Sequence, residues 1–288
     1  MDTTYLSIVS FLVLTAVYYG FPSIGKMPLT LDMLKSGAYS TYLTSNLPRL
    51  GIYVLAILLT QFGINTLYIN NTCGGSASTN AGIAFIMTFI PWFFIFGLTI
   101  AILIMYPAMK SAFSDVVGYF VVYGKANKIL NDILIDTNTD AAIQAAQDIS
   151  DESKGTMKKA AEAILKLCGN KSILINQIVP DNFLTIWDVL TPLMRKDVTD
   201  LASKQQELFD LVVIRENVGE AMWYIYTAIL LTSIVSYNLA TRGCMRNASQ
   251  MKANHQQYLD DEQKMNDAKQ QAQLNATQYS VGGAPSQS

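Results

Sequence analysis

The residue types that most often carry catalysis are scarce in this sequence. Its one histidine, His255, lies in a polar stretch near the C-terminus, so a histidine-based triad or an HExxH zinc motif cannot form within the apolar part. The cysteines Cys73, Cys168 and Cys244 are far apart and show no CxxC spacing, which disfavours a zinc site or a disulfide framework. No GxxxxGK[ST] or GxGxxG phosphate loop occurs. We therefore expect a protein that is not an enzyme and that binds no cofactor.

One row of carboxylates has a spacing that could serve a cation. Asp132, Asp136 and Asp140 follow each other at intervals of four and would share one face of a helix. The segment lacks the glycine and the regular oxygen spacing of a calcium-binding loop. A solvated acidic face is therefore favoured over a metal site.

Two amides, Gln61 and Asn65, are the polar residues with a chemical role to consider inside the apolar runs. They lie one helical turn apart in the second run. Amides at membrane depth either hydrogen-bond across a helix interface or line a small cavity. The first role is favoured, because transporters usually carry ionisable groups at depth and these runs carry none.

The elements that hold these residues are predicted to be membrane helices. The chain has 288 residues, of which 51% are hydrophobic and only 15% charged, against about 25% charged in ordinary soluble domains. Four apolar stretches without charge approach or exceed the roughly 20 residues that a membrane-spanning helix needs. They are about 5–21, 50–69, 81–106 and 221–240, and the fourth transmembrane helix is predicted at 220–240. A signal peptide is the alternative for the first stretch, but no positive residue precedes it. Pro91 is expected to kink the third.

The basic residues near the apolar runs predict an orientation. Lys26, Lys35 and Arg49 fall in the first loop, Lys110 follows the third helix, and the second loop, 70–80, is uncharged. The first loop and the region after residue 106 should therefore be cytosolic, with the second loop across the membrane. The net charge of −2 and the lack of a basic stripe exclude nucleic acid as the primary partner.

Residues 107–219 are predicted to form a helical extramembrane domain. Apolar residues recur at helical spacing in 157–168 and again in 183–190, where Pro192 closes the run. From residue 197 onward a near-heptad pattern leads straight into the last membrane helix, which favours one continuous helix. The tail, 241–288, is polar, and its faint heptad fits a partner-dependent helix or a disordered segment equally well. The sequence thus predicts an all-α protein: multi-pass transmembrane helices, a helical extramembrane domain and a polar C-terminal tail.

The end of the third apolar run is a collar where the chain is expected to leave the membrane. Pro107 should stop the helix, Tyr106 suits the headgroup layer, and Lys110 can reach lipid phosphate. Ser114 is expected to cap a new helix. Val116, Val117, Phe120 and Val121 follow as apolar surface beside the bilayer.

The collar also resembles a motif of known membrane proteins. Its residues are Pro107-Ala108-Met109-Lys110-Ser111-Ala112-Phe113-Ser114-Asp115, followed by Gly118-Tyr119. The motif reads roughly Phe-Pro-Gly-Trp-Lys-x-Pro-Phe-Ser-Asn-x-x-Gly-Tyr and is associated with inner-membrane and minor capsid proteins of large icosahedral double-stranded DNA viruses of the chlorella-virus (phycodnavirus) type. The chain departs from it at Tyr106, Ala108, Met109, Ala112 and Asp115. The resemblance covers about residues 50–123.

What the resemblance implies is a structural virion protein that anchors the inner viral membrane to the capsid shell. Its partners would be the lipid bilayer and the major or other minor capsid proteins, with self-association left open. Its location would be the virion inner membrane, and a host membrane during assembly. The candidate partner contacts are Tyr106, Pro107, Lys110, Phe113, Ser114, Gly118 and Tyr119. An entry or membrane-remodelling protein is the alternative, and a small channel around Gln61 and Asn65 a weaker one.

Overall fold

The structure is a computed structural model that describes residues 3–73, 77–134, 170–241 and 248–281. The chain divides into two compact units, Met1–Thr241 and Arg242–Ser288. The described residues form helices joined by short turns and include no β-strand; Leu134 and Met194 make one isolated antiparallel bridge. The predicted all-α fold is confirmed.

Ten α-helices of five residues or more are found in the described part of the chain. They are α1 Thr3–Gly20, α2 Leu31–Lys35, α3 Tyr39–Cys73, α4 Ala77–Pro91, α5 Gly97–Met105, α6 Tyr119–Ile133, α7 Lys171–Gln177, α8 Phe183–Leu190, α9 Leu201–Thr241 and α10 Ala248–Val281. A π turn, Trp92–Phe96, joins α4 to α5 without a break in the helical path.

Three helical segments are long and apolar enough to cross a membrane. They are Tyr39–Thr72, Asn80–Met105 and Leu201–Thr241. The remaining predicted span, 5–21, corresponds to α1, an apolar helix of 18 residues. Its length of about 27 Å is slightly less than the thickness of a hydrocarbon core. It runs antiparallel to α9, since Thr4 donates to the Ser236 hydroxyl at one end and Tyr19 meets Glu220 at the other.

The apolar helices α1, α3, α4–α5 and the second half of α9 form a bundle whose core is rich in aromatic side chains. Its buried members are Phe11, Tyr18, Tyr53, Ile57, Leu58, Trp92, Phe96, Ile100, Leu103, Tyr224, Ala228, Leu231 and Val235. Trp92 and Phe96 lie on the π turn. The irregularity expected at Pro91 thus takes the form of this wider turn, which directs two large rings into the bundle.

A second core fills the helical domain beside the bundle. It is built by α2, α6, α7, α8 and the first half of α9. Its α6 members, Val122, Ala126, Ile129 and Ile133, recur at helical spacing. The predicted apolar run after residue 182 is α8, and Pro192 lies in the 3₁₀ turn that ends it.

The collar is a chain of short helical turns. The third span ends at Met105, Tyr106 leaves helical geometry with φ −127°, and Pro107 opens a 3₁₀ turn, Pro107–Lys110. A single α turn, Ser111–Phe113, and a π turn, Ser114–Gly118, lead into α6. The prediction that Ser114 caps a new helix is wrong. The chain is already helical when it reaches Ser114, so no free N-terminal N–H groups remain there to be capped.

The helix α9 is continuous, as the near-heptad pattern predicts. The 41 residues of α9 cross from the helical domain into the bundle without interruption. The tail contains α10, a 34-residue polar helix on which Tyr258 and Met265 are exposed. The predicted helix at 157–168, and Asp136 and Asp140 of the carboxylate row, lie outside the described residues; Asp132 pairs with Lys204 at 3.4 Å.

Candidate functional site

Three charged side chains meet where the bundle joins the helical domain. The Glu220 carboxylate accepts from Lys26 Nζ at 2.9 Å and from Lys110 Nζ at 2.5 Å. Tyr19 donates to the same carboxylate at 2.8 Å, and Lys26 also donates to Asn217 at 2.9 Å. We name Lys26, Lys110 and Glu220 the junction cluster. It fastens the loop after α1 and the collar to α9, which are otherwise separate parts of the chain.

The loop after α1 is folded so that Lys26 reaches the cluster. The Lys26 amide donates back to the Tyr18 carbonyl at 2.7 Å, and Arg49 donates to the Gly25 carbonyl at 2.8 Å. A Cβ atom at Gly25 would lie 2.0 Å from the Tyr18 oxygen, so only glycine permits this approach. The local backbone, not only the ion pair, sets the position of Lys26.

The two lysines of the cluster differ electrostatically. Burial alone would lower the pKa of Lys110, but the Glu220 carboxylate outweighs burial and raises that pKa above its ordinary value. At Lys26 burial dominates and lowers the pKa, with repulsion from Lys110 adding to it. The two cations share the Glu220 carboxylate, with Lys110 Nζ at 2.5 Å and Lys26 Nζ at 2.9 Å from its oxygens.

A fully buried arginine lies one turn from the cluster. Arg215 has no exposed surface; its guanidinium donates to the Ile175 carbonyl on α7 and to Glu216 at 3.0 Å. Beside it, Asn176 donates to the Asp115 carbonyl at 3.1 Å. These contacts hold α7 against the collar and against α9. The charge of Arg215 is therefore paired inside the protein and not presented to solvent.

The collar crosses α9 at very short range through two glycines. A Cβ atom at Gly118 would lie 2.5 Å from the Arg215 carbonyl oxygen, and one at Gly219 would lie 2.6 Å from the Ser114 Cβ atom. Ser114 is completely buried in this contact. Since Ser114 and Gly118 are four residues apart, they present one small-residue face to the helix. The Ser114 and Gly118 spacing of the collar motif is therefore explained by packing.

Aromatic rings surround this crossing. Phe113 packs edge-on against Trp223 at 5.1 Å between ring centres, and Trp223 donates its indole N–H to the Met109 carbonyl at 2.9 Å. Tyr106 is exposed, and Tyr119 is half-buried next to Tyr123. The predicted site residues thus divide into two groups. Lys110, Phe113, Ser114 and Gly118 turn inward onto α9, whereas Tyr106 and Pro107 face outward.

Gln61 and Asn65 both make hydrogen bonds between membrane helices. Gln61 donates to the Ser7 carbonyl of α1 at 2.9 Å and accepts from the Ser7 hydroxyl. Asn65 donates to Thr88 of α4 at 2.8 Å. Each amide therefore ties α3 to a different neighbour. This is the arrangement expected of interhelical contacts.

The junction cluster was not predicted from the sequence because Lys110 and Lys26 are 110 and 194 residues from Glu220 along the chain. A signal was present, however. Lys26 and Lys110 each lie a few residues beyond an apolar run, and Glu220 directly precedes another. With the first loop and the collar predicted on one side, these three charges are the ones that would meet there.

Comparisons of the chain with protein-family models, with curated proteins and with solved structures found no match. The chemistry of the site must therefore be argued from its own residues. Among the described residues, no group of His, Cys, Asp or Glu side chains could hold a metal ion. What the site provides is a set of buried ionic and close-packed contacts that join two helical parts.

Proposed function

We propose that this chain is a structural membrane protein that fastens a bilayer to a protein layer lying over it. The bundle is the anchor, and the helical domain carries the contact with the overlying layer. In its finer form, the layer is the capsid shell of a large icosahedral double-stranded DNA virus and the bilayer is its inner membrane.

The observation that carries the proposal is the rigid coupling of anchor and domain. One helix, α9, contributes to both cores, with Tyr224 and Leu231 in the bundle and Leu208 and Phe209 in the domain. At the joint, the junction cluster, buried Arg215 and the glycine crossing add paired charges and close contacts, and hinge motion would have to break them. A tether needs such a joint, because a flexible linker would not fix the distance between two layers.

The collar motif supports the viral form of the proposal. The residues through which the chain resembles virion membrane proteins include Phe113, Ser114 and Gly118, which pack on α9. A motif with this role maintains the joint itself. We expect the collar motif in other proteins that have the same joint and the same structural function.

The test is the location of the protein in purified virus particles. After a low concentration of urea loosens the protein shell and leaves the bilayer intact, the protein should remain with the membrane fraction at a copy number that scales with the shell lattice. Quantitative mass spectrometry of the fractions measures this. Absence from gradient-purified particles contradicts the viral form, and extraction from membranes by carbonate at high pH contradicts the anchor itself.

An exposed apolar surface favours a second candidate, a membrane-remodelling or entry protein. Val116 is 68% exposed and Phe120 74%, both outside the predicted spans. For this function, purified protein should cause liposome leakage or fusion that Phe120→Asp abolishes. Asn131→Asp on the same helix is the matched control, since it adds the same charge to an exposed polar position. Protein that leaves liposomes intact argues against the candidate.

A further inference from the structure

The helices α6 and α9 run antiparallel, and their contacts fix which residues lie at the same height. Ser114 meets Gly219, and Gly118 meets Arg215 four residues further on. By the same register, Tyr123 lies level with Asp210. The rise of about 1.5 Å per residue places this level about 15 Å beyond Glu220.

The outer face of the collar and α6 changes composition at this level. From Val116 to Tyr123 the exposed residues are apolar, and after Gly124 they are Lys125, Lys128 and Asn131. The apolar group is Val116, Phe120, Val121 and Tyr123, with exposures of 68%, 74%, 58% and 49%. We name these four the outer apolar face. A helix whose outer face met water along its whole length would not show this division.

An independent helix changes at the same height. From Leu211 to Glu220, α9 exposes a single residue, Ile214, which is apolar. From Asp210 backwards its exposed side chains are polar or small: Asp210, Glu207, Gln206, Ser203 and Ala202. Two helices of different sequence therefore agree on one boundary.

The charges that lie below this boundary are not offered to solvent. The side chains of Lys26 and Lys110 are 14% and 20% exposed and are paired with Glu220, and Arg215 is fully buried. Asp115 is only partly exposed. The exposed part of this layer is mostly apolar, with Phe21, Ile24, Met105, Tyr106 and Met109 on its surface. Its exposed polar side chains, such as Ser23 and Ser111, are small and uncharged.

We propose that the bilayer interface covers this layer, so that the outer apolar face inserts among the lipid headgroups and Lys125 and Lys128 meet lipid phosphate. The dimensions agree. From Asp210 to Tyr237, an exposed aromatic residue near the far end of α9, the helix rises about 40 Å, the thickness of a bilayer including its headgroup regions. The junction cluster then lies within the membrane, well below its outer surface.

The inference rests on the membrane location in the proposed function, but not on the viral partner. It also moves the membrane exit from the collar, where the sequence predicts it, to about Tyr123. A bilayer is favoured over a second copy of the chain as the occupant, because the apolar face is continuous with the apolar surface of the spans and ends in cations.

Spin labels in lipid nanodiscs test the proposal at defined heights. In a chain with Cys73, Cys168 and Cys244 changed to Ser, one label is introduced by Leu98→Cys, Phe120→Cys, Lys128→Cys or Glu207→Cys. Collision rates with oxygen and with a water-soluble nickel chelate are then compared. The oxygen-to-nickel ratio at 120 should be several-fold higher than at 128 and 207 and lower than at 98.

The outcomes separate the inference from the function on which it rests. A ratio at 120 equal to that at 128 places the face in water and overturns the inference, while a high ratio at 98 keeps the membrane anchor. Low collision rates with both reagents at 120 indicate cover by a second copy and also overturn it. An aqueous ratio at 98 removes the membrane location itself.

Discussion

At the scale of single residues, Glu220 is the most consequential side chain at the joint. It is the one carboxylate that both Lys26 and Lys110 contact in the described part of the chain. The cost of burying three charges is offset only while each has its partner. Removing the shared carboxylate should therefore destabilise the fold more than removing either cation.

We predict that Glu220→Gln lowers the free energy of unfolding by about 3 kcal/mol, because two enclosed ammonium groups lose their counter-charge. Unfolding in a fixed detergent, followed by circular dichroism, measures the change. Glu207→Gln is the control: Glu207 is 51% exposed and 3.8 Å from Lys204, so its loss should cost less than about 0.5 kcal/mol. Equal losses for the two variants would contradict the role given to the cluster.

The glycine crossing gives a second prediction at this scale. Gly118→Ala and Gly219→Ala should each destabilise the fold by about 1–3 kcal/mol, since the added methyl group meets backbone or Cβ atoms closer than 3 Å. Gly124→Ala, six residues along the same stretch, has open space around it and should be neutral or slightly stabilising. The same unfolding measurement ranks the three variants. If neither Gly118→Ala nor Gly219→Ala lowers the free energy of unfolding, the close crossing is ruled out.

At the scale of elements, α3 is held to its neighbours by two amide contacts. Gln61→Leu and Asn65→Leu should each cost about 0.6 kcal/mol and at most about 2 kcal/mol, the range measured for hydrogen bonds between membrane helices. Leu59→Ala, on an exposed side of α3, is the control and should change little. Thermal unfolding in nanodiscs provides the measurement. A much larger loss of stability, or a loss of ion flux with stability unchanged, would indicate a different role for the amides.

The elements differ in how far the sequence predicts them. The apolar runs give α1, α3 and the α4–α5 span, and the near-heptad pattern gives α9, because hydrophobic period reports helix and burial together. The collar is different. Its π turn, Ser114–Gly118, depends on contact with Gly219 on a distant helix, so local rules suggested a cap where the structure has a buried packing residue. The same limit hides the junction cluster, whose partners are brought together only by the assembled bundle.

At the scale of the whole molecule, the contacts fix which segments share an end of the bundle. The loop after α1, the collar and Glu220 meet at one end, and Thr4 meets Ser236 at the other. The charge pattern predicts the first end to be cytosolic.

This arrangement predicts the labelling of single cysteines in sealed membranes. With the native cysteines changed to Ser, Lys35→Cys and Glu207→Cys should react with a membrane-impermeant thiol reagent from the cytosolic side. Thr72→Cys should react only from the opposite side. These three positions are exposed in the structure. Reaction of positions 35 and 72 from the same side is incompatible with this topology.

The central claim is that the helical domain joins the membrane to a protein layer above it. Cross-linking mass spectrometry on native virus particles tests this most directly, with the exposed Lys196 as the reporter of what lies over the domain and Lys128 as the reporter of the bilayer interface. We predict cross-links from Lys196 to a shell protein. Cross-links from Lys196 only to this chain itself or to membrane-embedded neighbours would contradict the claim.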